Sequence, residues 1–259
     1  MSIADKLTTI AENEQKVYDA GFAAGQAQGG GEDSQWWLDW FESKTDIRNL
    51  FLGSAITYIP EFLDFSHITN ANSAFRQCLN IQQESFYMNS CNAKDLGYLF
   101  YQAKCELKEL TIDVGSAENI SGLVGQDCSI QRVNFIGNCS KVKESTNLAL
   151  WGALKEIHCY TDVTMTEEIP LDFSNNTSAN VFYYATHLES ISFAPECIKV
   201  SMVINSSVLT NESIQSIIDG LADLTGQTTQ TLTVHTTVGN NLTDAQKANI
   251  TAKNWTLVY

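Results

Sequence analysis

The sequence predicts an α/β repeat fold, a solenoid of stacked short strands led by a helix and closed by a small α/β unit. Three observations carry this reading. One apolar spacing recurs four times, as Leu107-x-x-Leu110-x-Ile112, Ile130-x-x-Val133-x-Phe135, Leu154-x-x-Ile157-x-Cys159 and Leu188-x-x-Ile191-x-Phe193. It is the strand and bend of a leucine-rich repeat, in which each copy lends one strand to a stacked sheet. No copy buries its own apolar face, so the copies are stable only as a stack. The second observation is an internal echo: residues 63–72 (LDFSHITNAN) resemble residues 171–180 (LDFSNNTSAN), and aromatic residues follow both, Phe75 in one and Phe182 and Tyr183 in the other. The third is a change of pattern near residue 206, from repeat spacing to helix, strand, helix, strand.

Taken in order, residues 1–24 read as a helix. Ile3, Leu7, Ile10, Glu14, Val17, Gly21 and Ala24 recur at alternating steps of four and three, a heptad seam. Isoleucine-rich seams lean toward three strands, and one helix of this length is marginal in water by itself. Ile3, Leu7, Ile10 and Val17 are therefore expected to join the chain to copies of itself, a trimer first, or to a larger neighbour. The other reading is a helix docked on its own repeat stack. Residues 25–34 include the run Gly25-Gln-Ala-Gln-Gly-Gly-Gly31 and read as a flexible linker.

The stack spans residues 35–205. It opens on Trp36-Trp37-Leu38-Asp39-Trp40-Phe41, an aromatic block suited to capping the first coil. The anchors Leu107, Ile130, Leu154 and Leu188 stand 23, 24 and 34 residues apart, so an insertion is expected in the last interval. In residues 206–259, Thr210 is placed to cap a helix carrying Ile214, Ile217, Ile218, Leu221 and Leu224. Residues 231–236 alternate as a strand, Thr243 starts a second helix through Lys253, and Trp255–Tyr259 reads as a closing strand.

Charge excludes one class of partner. The chain has 259 residues, 15 Lys and Arg against 30 Asp and Glu, and a net charge of −15. Such a surface repels phosphate backbones, so nucleic acid is not an expected partner. No apolar run approaches membrane-span length, and residues 1–7 lack the apolar core of a secretory signal. Seven cysteines (78, 91, 105, 128, 139, 159, 197) form no C-x-x-C pair. Cys105 and Cys128 each precede a repeat's first anchor by two residues and Cys159 is itself an anchor, which suits small buried, reduced thiols. Disulfides or a metal site have little support from the spacing.

The repeat anchors, the C-x-[LI] phase and the LDFS-type segments resemble the BspA-like leucine-rich-repeat proteins. The ends carry the resemblance further: Ala4-Asp-Lys-Leu-Thr, Tyr18-Asp-Ala-Gly21, the Trp-rich block, Thr225-Gly-Gln, Leu232-Thr-Val, Leu242-Thr-Asp-Ala-Gln-Lys247 and Asn254-Trp255 are similar to proteins encoded by phages and prophages of gut Firmicutes. The resemblance implies a virion or tail-associated component, or an adhesin toward a host surface, made in the bacterial cytoplasm. The long interval from Leu154 to Leu188 departs from a regular member.

No nucleophile elbow, phosphate loop or zinc motif appears, and His67, His158, His187 and His235 are dispersed. The sequence predicts no enzyme, metal or cofactor. The sequons at Asn119, Asn138, Asn176, Asn205, Asn241 and Asn249 read as polar turn residues. What remains is surface. Thr111, Asn134, His158 and Ser192 are expected to form a solvent-facing ladder, with Tyr160 beside it, able to meet a host glycan or protein. Tyr183 and Tyr184 are further exposed candidates, although the family resemblance implies core packing for Tyr183. The leading expectation is a phage structural protein presenting this ladder for host recognition. The alternative is an adhesin or interaction scaffold with no virion role.

Overall fold

The structure, a computed structural model, describes residues 40–59, 63–88, 91–103, 106–125, 128–148 and 153–259. Ile3, Leu7, Ile10 and Val17, the glycine linker, Trp36, Trp37 and Cys105 lie outside the described residues.

Strands β1 (Ser85–Met88), β2 (Glu109–Asp113), β3 (Arg132–Ile136) and β4 (Glu156–Tyr160) form one parallel sheet in that order. Three of the four come from the recurring spacing. Their apolar anchors fall in register, Phe86 to Leu110 to Val133 to Ile157 and Met88 to Ile112 to Phe135 to Cys159. β1 hides from the pattern because Gln83 stands where the first anchor would be. The fourth copy, Leu188–Phe193, makes only isolated bridges, Glu156 to Ser190 and Leu171 to Phe193. The cause is the insertion: residues 161–168 turn back on β4 through an antiparallel bridge from Tyr160 to Glu168, and the following arm then takes the pairing edge. Ile169 N–H donates to Cys159 O at 2.8 Å and Leu171 N–H to Ser192 O at 2.9 Å.

A second line of parallel bridges runs Asp46, Asn70, Asp95, Asn119, Glu144 at intervals of 24 or 25 residues. The first four of these carboxyl and amide side chains each accept the N–H two residues on, a local turn that suits Asp and Asn. The turns that follow repeat too: Asn49, Ser73, Tyr98, Gly122 and Asn147 all have φ between 52 and 63°. Asn138 and Asn176 form further i+2 turns, so with Asn119 three sequons are turn residues.

The core lies between these two walls. From the turn wall, Phe51, Phe75 and Phe100 stack at 5.1 and 5.2 Å, and from the sheet Phe86 meets Phe75 and Phe100 edge-on at 5.7 and 5.8 Å. One contiguous cluster of buried apolar residues runs from Phe41 to Trp255. The two echo segments turn alike, with Asp64 accepting Ser66 N–H and Asp172 accepting Ser174 N–H, while Phe65 and Phe173 enter the core.

Residues 202–258 hold the remaining strands and three helices. β5 (Met202–Ile204), β6 (Gln230–Val234) and β7 (Trp255–Val258) form a second parallel sheet. Helix α1 (Asn211–Gly220) starts at Thr210, whose hydroxyl accepts Ser213 N–H at 3.1 Å. α1 also covers the edge left by the fourth copy, since Ile191 and Phe193 N–H donate to the Ser213 and Ser216 hydroxyls at 3.0 and 2.8 Å. Where the sequence reading extended a strand to residue 236, the chain instead enters the short helix α2 (Thr236–Asn241), capped by the His235 ring. α3 (Asp244–Ala252) follows with Thr243 and Gln246 as a capping box.

Among the described residues six cysteines are buried thiols without disulfides. Burial pushes the Cys91 and Cys159 thiols up to about 12 and raises Cys139 and Cys197 as well. Because the thiolate is the nucleophile, these four should resist iodoacetamide at pH 8 in the native chain and react once guanidinium unfolds it. Mass spectrometry of the alkylated sites tests this, and modification of Cys91 or Cys159 in the folded chain contradicts it.

Candidate functional site

The outward side of the first sheet holds three rows set by strand alternation and by the register. The lower row is Ser85, Glu109, Arg132, Glu156; the middle row is Tyr87, Thr111, Asn134, His158; Asp113, Ile136 and Tyr160 stand above. The register thus brings Thr111, Asn134 and His158 together with Tyr160 two residues further along β4.

Two expectations need correction. Thr111 and Asn134 are not solvent-facing: they retain 6% and 2% of their exposure. Their short side chains pair and sink below longer neighbours, with Asn134 Nδ2 donating to Thr111 Oγ1 at 3.1 Å and to Glu109 Oε1 at 2.6 Å. Ser192 leaves the ladder, because the Ile169–Leu171 arm pairs where His158 would have met it. A third correction concerns Tyr183, which is 42% exposed while Phe182 takes the core position. Tyr183 packs edge-on against Tyr184 at 4.7 Å.

The face is rich in acceptors. Arg132 binds Glu156 Oε2 at 2.6 Å, which holds that carboxyl below its ordinary range. His158 sits between two carboxylates, Nε2 at 3.3 Å from Glu156 and Nδ1 at 2.9 Å from Glu168. Glu168 arrives on the insertion, so the longer interval supplies a member of the site that repeat spacing alone did not reveal. Asp113 is raised by burial, and burial likewise raises the Tyr87 and Tyr160 phenols, which stay neutral at physiological pH. Asn134 Oδ1 is buried and has no hydrogen-bond donor among the described residues. An orphaned buried acceptor costs stability, and a donor from outside would satisfy it.

Sequence reasoning missed Tyr87, Glu109 and Glu168. Tyr87 was hidden with its strand, while Glu109 precedes an anchor in the repeat frame and was legible there. No group of three or more His, Cys, Asp or Glu among the described residues could hold a metal ion. No helix among them is long and apolar enough to cross a membrane. Comparison with protein families, curated proteins and solved structures finds no match to this chain.

Proposed function

We propose that this chain is a leucine-rich-repeat solenoid of the BspA-like kind and a phage virion or tail-associated structural protein. It presents its sheet face for recognition of a host-surface glycan or protein and is held in place by its N-terminal helix. The observation that carries the reading is the in-register row Tyr87, Thr111, Asn134, His158, flanked by charged side chains and holding an acceptor without a donor. A rigid row of this kind suits recognition, since side chains on neighbouring rungs are fixed by the sheet and pay little ordering entropy on binding. The virion setting draws on the likeness of both chain ends to phage-encoded repeat proteins. The heptad seam supports anchoring or trimerisation through Ile3, Leu7, Ile10 and Val17.

Two measurements test this. Mass spectrometry of particles purified from the source phage should find the chain as a component; its absence would favour the free-standing scaffold. Light scattering should give a larger particle mass per chain for the full sequence than for residues 32–259. Equal monomer masses would remove self-association and leave only a larger neighbour for the helix.

A further inference from the structure

The turn wall carries a cluster that the repeat itself does not require. Tyr98 has φ of 58°, in the left-handed region that a bulky side chain rarely adopts. The same position on neighbouring rungs holds Asn49, Ser73, Gly122 and Asn147, residues small enough or suited to that conformation. Tyr98 is nonetheless 40% exposed, so core packing does not account for it. Its ring lies where a Cβ on Gly122 would stand only 2.7 Å away, and a Cβ on Gly125 would come within 2.9 Å of the Tyr101 ring. Gly122 therefore leaves room for the Tyr98 ring, while Gly125 lets the Tyr101–Gln102 backbone and the Tyr101 ring come close.

Arg76, one rung earlier, completes the group. Its guanidinium stacks on Tyr101 at 5.0 Å, and Tyr101 meets Tyr98 edge-on at 5.4 Å. Among the described residues no carboxylate pairs with Arg76, although the chain carries 30 of them, and its Nε is buried without an acceptor. A half-buried arginine fork on an aromatic shelf suits a planar anion, and none of the described residues supplies one.

We propose that Arg76, Tyr98 and Tyr101 form a binding site for a carboxylate-bearing saccharide, separate from the sheet face. The guanidinium pairs with the sugar carboxylate while the C–H side of the same or the next pyranose ring lies on the exposed tyrosine. An acidic saccharide fits better than an acidic peptide. One cation beside flat apolar rings matches one carboxylate fixed on a rigid ring, and the surrounding charge of −15 opposes a run of Asp and Glu.

The test is titration calorimetry on the full chain with four saccharides and one peptide: tri-galacturonate and its methyl ester, 3′-sialyllactose and lactose, and a Glu-rich peptide. At least one acidic sugar should bind at least tenfold more tightly than its neutral counterpart and than the peptide. Arg76→Gln and Tyr98→Asn should each weaken that binding at least tenfold. Tyr98→Asn should not lower the melting temperature, because Asn already occupies this turn position at residues 49 and 147. Tyr87→Ala/His158→Ala, on the sheet face, should leave the affinity unchanged, which separates this site from the function proposed above. Equal affinity for acid and ester, equal affinity for the peptide, either site variant binding like the parent, or no binding of any acidic saccharide would each overturn the proposal.

Discussion

Replacing Phe75 by alanine is expected to lower stability by about 4 kcal/mol, read from guanidinium unfolding at 25 °C. Phe75 is fully buried and central in the aromatic column, stacked between Phe51 and Phe100 and edge-on to Phe86. Removing the ring leaves a cavity between three rungs that the stack cannot close, because each rung is held to the next by backbone hydrogen bonds such as Phe75 N–H to Leu99 O at 3.0 Å. Phe75→Leu keeps most of the volume and should cost only about 1–2 kcal/mol. A domain of this kind holds roughly 5–15 kcal/mol in all, so the alanine variant approaches the limit of folding. A cost under about 1 kcal/mol would mean that the column does not bear on stability.

Gly125→Ala is expected to cost about 3 kcal/mol for a different reason. A Cβ at residue 125 would lie 2.3 Å from Tyr101 Cα and 2.7 Å from Gln102 N, both backbone atoms of the adjacent rung. Relief requires the rungs to part, since no side chain can swing aside. Gly53→Ala is the control. Nothing stands within 4 Å of its added Cβ, but its φ is +66°, so its cost is conformational and about 1 kcal/mol. The ordering of the two, measured side by side, checks that rung contact at Gly125 outweighs the conformational cost at Gly53. Equal costs would contradict it.

Legibility followed the density of the apolar signal. β2, β3 and β4 carry all three anchors and were readable from spacing alone, whereas β1 lacks its first anchor and was not. The second wall was written in the sequence as Asp46, Asn70, Asp95 and Asn119. Asp and Asn crowd every loop, so their phase carried little weight until the bridges aligned them. The 34-residue interval announced an insertion but not its path, and that path brings Glu168 to His158 and takes Ser192 away. Alternation predicted which side of the sheet Thr111 and Asn134 occupy. It could not predict burial, which depends on the reach of Glu109 and on a hydrogen bond between neighbouring strands. The Tyr98 shelf was beyond reach for the same reason, because it needs glycines 24 residues away on the next rung.

The central claim, that the sheet face recognises a host surface, is tested most directly by binding of the fluorescently labelled full chain to cells of the bacterium whose phage or prophage, in the proposed setting, encodes it. The account predicts saturable binding that Tyr87→Ala/His158→Ala weakens at least tenfold while the melting temperature stays within a few degrees. Saturable binding that the double variant leaves intact, or no binding by the parent chain, would contradict it.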